Sequence, residues 1–317
     1  MYELGYEIKI GSYRLAMLES VKIAKSVLNL ADTATVVCPA STYNDAISVR
    51  DKIKKGDAVA IRLGYDGQLE TEFKGYLNAI QTEDNSITLD CIDELYRLKK
   101  TVANKEYKDT TLNAILHDLM KQVSSEYTIE SNYEVGYDRF TVFNQTMYDV
   151  LQKIQDDTKA NIFFREKTLH ISEPYKDETG KTVIYDTRVN IETSDLKYVS
   201  KEDKKVKIEV EMTKPDGKKE KRSFGADGGE VVKKTVSGIS ESGLSSVAQN
   251  EYNLWNYDGF EGGFTGWLVP QCQPGDTVEL RDTDGSRTGR YYVTGVEVEF
   301  SASGGKRKVT LGRKVNG

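Results

Sequence analysis

The chain has 317 residues, with 44 Lys and Arg against 50 Asp and Glu, a net charge of −6. That balance argues against a strongly basic nucleic-acid binder, which needs a Lys/Arg surplus to neutralise phosphates. Charged residues at 30% and aromatics at 9% exclude a disordered or membrane-embedded composition. The apolar share, about 40% when Tyr is left out and Gly counted, lies under the ~45–50% of globular chains, so the core must be thin or divided among two or three domains. No stretch approaches the roughly 18–20 apolar residues of a membrane span. The opening MYELGYEIKI carries Glu3 and no apolar signal core, so a chain made in the cytoplasm is expected.

The first hundred residues predict short antiparallel strands at Tyr6–Ile10, Ala34–Cys38, Ala58–Leu63, Phe73–Ile80 and Ser86–Cys91. Gly56-Asp57, Asp66-Gly67 and Asp84-Asn85 supply turns between them, and a helix fits Asn44–Lys54. A basic, polar stretch from Arg97 to Lys108 closes this unit. Beyond it, Leu112, Ile115, Leu116, Leu119, Met120 and Val123 share one helical face, with Asp109 or Thr110 placed to cap it. A second helix is marked by Met147, Val150, Leu151 and Ile154, entered at Asn144 or Thr146, and a hairpin follows, Asn161–Arg165 and Thr168–Ile171 around Glu166-Lys167. The last third returns to strands: Lys205–Thr213, a Pro215-Asp216-Gly217 turn, Lys218–Phe224, then Gly266–Pro270, Thr277–Asp282, Gly289–Phe300 and Lys306–Arg313. A helix at about Ser242–Trp255 interrupts them, with Leu244, Val247, Ala248, Tyr252 and Trp255 on one face.

An internal repeat runs through these strands. Gly56-Asp-Ala-Val-Ala-Ile-Arg62 lies over Gly275-Asp-Thr-Val-Glu-Leu-Arg281, identical at Gly, Asp, Val and Arg. In order, Asp66-Gly67 then corresponds to Asp284-Gly285, Tyr76-Leu77 with Ile80 to Tyr292-Val293 with Val296, and Ile87-Thr-Leu89 to Val309-Thr-Leu311. In Gln273-Pro274-Gly275-Asp276, Pro presets φ at the second position and Gly accepts φ > 0 at the third, a type II turn feeding a strand. A Gly-Asp-x-Val-x-Leu segment alone is a common entry to any small barrel strand; four segments in register favour duplication.

These residues also carry a resemblance. Tyr252-Asn-Leu-Trp255, Gly259-Phe-Glu-Gly-Gly263, the strand Phe264–Val269 and Gln273-Pro-Gly-Asp-Thr-Val-Glu-Leu280 resemble the C-terminal part of the late control protein D family, with the XkdQ-type hubs of PBSX-like prophages and related contractile bacteriocins nearest in shape. Gly289–Phe300 with Lys308–Gly312, and Phe73–Ile80 with Thr88–Asp93, fit the same pattern. The resemblance implies a mainly β fold with an α+β insert: two duplicated tail-tube-like antiparallel β-barrel or sandwich domains, residues 1–100 and 191–317, flanking a small α+β domain, 101–190. It further implies a homotrimer whose six modules match a six-fold tail tube above to a trimeric central spike below. Its partners would be the tail tube protein, the central spike protein, baseplate wedge proteins and a LysM-containing baseplate protein. The insert would sit outside the ring, and the particle would be a virion or bacteriocin baseplate. No cofactor, metal, membrane or specific nucleic acid is expected, and a lumen that passes DNA would work better without strong attraction.

Chemistry is thinly signalled. His117 lies off the apolar stripe of its helix and His170 between Leu169 and Ile171, and neither has a ligand partner at metal-site spacing. Gly238-Ile-Ser-Glu-Ser-Gly243 reads as a loop capping the next helix, and Asp227-Gly-Gly229 and Gly259–Gly266 lack the end of a phosphate loop. Paired acids such as Asp156-Asp157 and Glu202-Asp203 are expected by chance among 50 carboxylates. Cys38, Cys91 and Cys272 are too far apart for a CxxC-type metal knuckle and odd in number for a disulfide framework, so buried thiols are expected. The basic run Lys197–Arg222 alternates with Val206, Ile208 and Val210, which suits a strand with one solvated face better than a DNA channel. The expected structural residues are Gly56, Asp57, Gly275 and Asp276 at the duplicated turns, Tyr76 and Tyr292 as equivalent strand aromatics, and Trp255 and Trp267 as packing anchors. A non-enzymatic hub is the reading these features favour, against a peptidoglycan hydrolase or a stand-alone carbohydrate-binding or adhesin module.

Overall fold

The computed structural model describes residues 2–39, 52–83, 86–175, 180–214, 217–283 and 285–315. Strand residues dominate, as the alternation of apolar and polar positions requires. The chain opens with β1 (Leu4–Ile10), β2 (Tyr13–Arg14), β3 (Ser20–Ser26), β4 (Thr33–Pro39), β5 (Ala58–Tyr65), β6 (Gln68–Thr82) and β7 (Ser86–Ile92). A 3-10 turn (Glu94–Leu98) leads to β8 (Lys105–Thr111), α1 (Leu112–Val123), β9 (Thr128–Ser131), β10 (Gly136–Val142), α2 (Met147–Thr158), β11 (Asn161–Arg165) and β12 (Thr168–Ser172). Next come β13 (Thr182–Asp186), β14 (Ile191–Ser194), β15 (Lys197–Val199), β16 (Val206–Thr213), β17 (Lys219–Gly225), β18 (Glu230–Ser237), α3 (Glu241–Trp255) and β19 (Gly259–Glu261). The chain ends with β20 (Gly263–Trp267), β21 (Thr277–Arg281), β22 (Gly289–Ser301) and β23 (Gly304–Lys314). The helix expected at 44–54 and the turn residues Asp84, Asn85, Pro215, Asp216 and Asp284 fall wholly or largely outside the described residues.

Two compact units result. The first comprises Met1–Tyr96, Thr179–Lys197 and Glu261–Gly317, the second Arg97–Glu178 and Tyr198–Phe260. This division cuts across the three expected segments: residues 198–260, expected in the second β domain, fold with 97–178 instead. The cause lies in backbone pairing and burial. Arg139 N–H donates to the Gly238 carbonyl at 3.0 Å and Ser240 N–H to that of Gly136 at 2.8 Å, so the chain around 238–240 is tied to β10. Both copies of the repeat consequently share the first unit.

In the first unit one sheet runs in the order β14-β20-β23-β22-β3-β4-β7-β6-β5-β1-β2, with β13 parallel to β21 at its side. Alternation sets which side chains are enclosed: Val59, Ile61 and Leu63 on β5 are buried beside exposed Ala58 and Arg62, and Ile8 lies opposite Ile61 across the β1–β5 pair.

The second unit is built differently. Helix α1 buries all six residues of its predicted stripe, but its N-cap is Thr111, whose side chain accepts the Ala114 N–H; Asp109, a predicted cap, instead holds φ +45°. Helix α2 starts at Thr146 with a reciprocal capping box to Asp149. The hairpin β11–β12 forms around Glu166, and β9 adds in parallel to β12. Strand β16 lies between antiparallel β17 and parallel β18, with Val206, Ile208, Val210 and Met212 buried.

Candidate functional site

The repeat is visible in the hydrogen bonds of its turns. In the first copy Gly56, at φ +92°, donates to the Leu77 carbonyl at 2.8 Å, and Leu77 N–H donates back to the Asp57 carbonyl at 2.9 Å. Asp57 N–H reaches the Lys54 carbonyl at 3.0 Å, while Asp57 Oδ2 accepts the Lys54 N–H at 2.9 Å. The second copy has the same set. Gly275, at φ +89°, donates to Val293 at 2.9 Å and Val293 to Asp276 at 2.9 Å. Asp276 N–H reaches Gln273 at 3.1 Å, and Asp276 Oδ2 accepts the Gln273 N–H at 2.8 Å. Only glycine adopts such a φ without strain, and the aspartate closes the turn onto the strand that follows. Asp276 does more than Asp57, because its Oδ1 also accepts the Lys181 N–H at 3.0 Å.

Strand register extends the match. Tyr76 stands opposite Ala58, and Tyr292 opposite Thr277. Both middle strands then carry a bulge one step later, between Leu77 and Ala79 and between Val293 and Gly295. Past the bulge Ile80 pairs with Leu89, and Val296 with Val309. Hence Leu89-Asp90-Cys91, and not Ile87-Thr88-Leu89, is equivalent to Val309-Thr310-Leu311. The sequence alignment slipped by two residues, a shift that keeps every side chain on its face and so leaves the apolar pattern unchanged. Tyr76 stacks on Tyr96 with ring centroids 5.6 Å apart, and Tyr292 is buried. Trp255 and Trp267 are 41% and 48% exposed, so neither is an enclosed anchor: Trp255 sits in the last turn of α3, and Trp267 at the end of β20 on the strand face opposite Phe264.

The two copies are welded by strand β3, which the sequence reading missed although Val21 and Ile23 alternate within it. Ser20–Ser26 pairs antiparallel with Gly295–Ser301, from Ser26 opposite Gly295 to Ser20 opposite Ser301. Val21, Ile23, Val298 and Phe300 are buried along this seam. Lys22 Nζ lies 3.7 Å from Glu297 and 3.3 Å from Glu299 on the solvent face. Lys25 Nζ donates to Gln273 Oε1 at 2.8 Å, and Ser26 Oγ to the Thr294 carbonyl at 3.1 Å. A further link joins residues 235 apart in sequence: Arg307 Nη2 on β23 meets Glu72 Oε1 on β6 at 2.5 Å, both side chains 1% exposed. Arg307 Nε and Nη2 also donate to the Leu268 carbonyl at 3.1 and 2.9 Å.

Near the seam sits a small titratable cluster. Burial pushes the Asp32 carboxyl up to about 6, opposed by the Lys25 ammonium, and burial together with Asp32 raises Asp93 well above the usual carboxylate range. Burial also lowers Lys25. Asp93 Oδ2 accepts the Asp32 N–H at 3.3 Å, and Asp32 Oδ1 the Ser26 N–H at 3.3 Å, so the carboxyls tie β3 to the ends of β4 and β7. All three cysteines are buried and unbridged. Burial raises the Cys38 and Cys91 thiols to about 11 and about 12, and Cys272 in the same direction.

The remaining candidates have ordinary surroundings. His117 is exposed; His170 stacks on Phe163 at 5.3 Å with Nδ1 3.5 Å from Glu130. Asp156 is exposed and bonded to Gln152, while burial raises Asp157, as expected for neighbours pointing away from each other on a helix. Glu202 and Asp203 are exposed in a turn. In the basic run the charges pair among themselves: Lys219 with Glu211 at 2.6 Å, Lys214 with Glu220 at 2.7 Å and Arg222 with Glu220 at 2.8 Å. Ser240, inside the predicted capping loop, is the N-cap of α3. Among the described residues no group of three or more His, Cys, Asp or Glu is placed to hold a metal, and no helix is long and apolar enough to cross a membrane.

No family profile and no curated protein matches the chain. Solved structures do match it in fold, which is mostly β with large antiparallel sheets and is shared with tail proteins, one of them from a prophage. A tail protein from Neisseria meningitidis MC58 matches with a TM-score of 0.66 at 16% identity, over 100% of this chain and 98% of the other. The 43 kDa tail protein of prophage MuSo2 from Shewanella oneidensis matches at 0.63 and 15%, over 99% and 97%. The E. coli c3393 protein, described as a type VI secretion component similar to the T4 tail proteins gp27 and gp5, matches at 0.62 and 10%, over 98% and 77%.

Proposed function

We propose that the chain is the structural hub of a contractile tail or tail-like bacteriocin baseplate. Three copies form a ring of pseudo-six-fold symmetry that joins the six-fold tail tube to the trimeric central spike. The observation that carries this reading is the duplicated turn-and-strand unit, matched hydrogen bond for hydrogen bond at Gly56-Asp57 and Gly275-Asp276. Two like modules per chain in three chains supply six like surfaces, which is what an adaptor between three-fold and six-fold partners needs. The likeness in fold to tail proteins supports it. The work of such a hub is geometric, passing the tube's thrust to the spike, and it assigns no bond-making step to this chain. Its partners in this reading are the tube and spike proteins, wedge proteins and a LysM-containing baseplate protein. A cryo-EM map of the assembled tail tip tests it: three copies in a closed ring under the tube are expected, and any other copy number overturns it. Cell-wall clearing by the purified chain in a zymogram would overturn the non-enzymatic part.

A further inference from the structure

The second unit encloses polar groups that its helices and strands leave unanswered. Tyr137 Oη on β10, Asp157 Oδ2 near the end of α2 and Asn250 Nδ2 on α3 are out of solvent, with no hydrogen-bond partner among the described residues. Tyr137 is 1% exposed and Asn250 3%. Polar atoms inside folded proteins nearly always have a partner, because an unpaired one gives up its hydration for nothing.

Packing brings these three together. Ser240 N–H donates to the Gly136 carbonyl at 2.8 Å and Tyr137 bridges to Ile239, so the start of α3 is laid against β10. A Cβ on Gly243 would come within 2.7 Å of the same Gly136 carbonyl, so the approach needs glycine. Gly243, Val247 and Asn250, spaced i, i+4 and i+7, are buried on the face of α3 that this contact turns toward β10. From the other side, the Tyr133 hydroxyl donates to the Thr158 carbonyl at 3.2 Å and holds the end of α2 beside the segment between β9 and β10. Burial raises the Tyr133 hydroxyl, and the neighbouring Asn250 side chain opposes the rise. Burial also raises the Tyr137 hydroxyl, helped by the charge of Asp157 and by Tyr133.

The chemistry of the three atoms selects what fits among them. The amide nitrogen of Asn250 only donates, an ionised Asp157 oxygen only accepts, and the Tyr137 hydroxyl does either. Asn250 and Asp157 are complementary yet make no bond to each other, so a group between them must accept from one and donate to the other. It must also be neutral. Burial raises Asp157 while the Lys153 and Lys234 charges oppose it, and Lys234 Nζ donates to Glu251 Oε2 at 3.0 Å. A cation there would meet those lysines, and an anion would meet Asp157 and Glu251. Water is small and neutral, donates two hydrogen bonds and accepts two.

We infer that a buried water molecule sits between Tyr137 Oη, Asp157 Oδ2 and Asn250 Nδ2, accepting from Asn250, donating to Asp157 and completing its set with Tyr137. Internal waters typically make about three such bonds to groups that would otherwise go unpaired. This one ties the Arg97–Glu178 segment to the Tyr198–Phe260 segment, adding a polar link to the backbone bond from Arg139 to Gly238. It stands apart from the hub reading, and neither depends on the other.

A crystal structure of the full chain, at a resolution that shows ordered water, tests the site. The expected result is one water about 2.7–3.2 Å from all three atoms. A direct hydrogen bond between any two of them, or a water that misses any one, overturns the inference. Tyr137→Phe supplies a second reading in solution, and its sign decides. If the hydroxyl holds the water, removing it lowers the folded-to-unfolded ratio in urea by roughly 2–10-fold. If the hydroxyl is simply buried without a partner, phenylalanine leaves the ratio unchanged or raises it, and the inference falls.

Discussion

The two copies of the repeat, β5–β7 and β21–β23, have the same Gly-Asp turn, the same bulge and the same opposed tyrosine position. They diverge in what surrounds those features. The second copy is enclosed: β3 covers the far half of β22, and Arg307 on β23 is locked to Glu72. The first copy has an apolar residue, Ile87, at the position equivalent to Arg307, and among the described residues its middle strand is paired past Tyr76 by β7 alone. Local turn chemistry thus sets the shape of a module, while its neighbours decide which of its positions are buried.

The sharpest way to break this comparison is at Arg307. Removing one partner of a buried ion pair leaves an unpaired charge, so Arg307→Met is expected to lower stability by about 3–5 kcal/mol in urea unfolding. The double variant Arg307→Ile with Glu72→Leu should recover most of that loss, since the first copy already uses Ile87 there. Next in size is the seam. Ile23→Ala removes a fully buried side chain, with an expected cost of about 2–5 kcal/mol. Leu196→Ala, at a half-buried position, should cost clearly less in the same assay.

The turns come third. Gly56→Ala and Gly275→Ala each force a side chain into φ near +90°, an expected loss of about 1–3 kcal/mol apiece. Asp276→Ala should cost more than Asp57→Ala because it also frees the Lys181 N–H. Thermal melts of the four variants check both orders.

The smallest effect is a pH dependence at the seam. Asp32 keeps its proton in the folded chain up to about pH 6, whereas an unfolded aspartate has released it by about pH 4. The stability it contributes is thus fully present below about pH 4 and declines as pH rises to about 6. Asp32→Asn should remove that decline, so the stability of the natural chain relative to the variant falls between about pH 4 and about pH 6 in parallel unfolding curves. Lys25, which Asp32 partly neutralises, limits its size.

Much of the architecture was legible where periodicity and turn chemistry act locally. Leu112 to Val123 and Met147 to Ile154 announce helices, and Gly275-Asp276 announces a turn, because each signal lies within one or two turns of chain. Strands made by their partners were not legible. Lys105–Thr111 has little alternation and extends because β10 pairs with it, and Glu230–Ser237 is drawn into parallel register by β16. The division into units escaped for the same reason, since 198–260 joins 97–178 through contacts far apart in sequence. At the candidate site the turn residues could be named from sequence. The seam could not, because Arg307 and Glu72 give no sign at a separation of 235 residues that they meet.

The three cysteines have a consequence for how long such a protein lasts. Oxidants attack thiolates, and here every cysteine sulfur is out of solvent with its proton held more tightly than in a free cysteine. Folded, the chain offers no cysteine thiol to cross-link or to modify in an oxidising medium. Its thiols can age in air unchanged for as long as it stays folded.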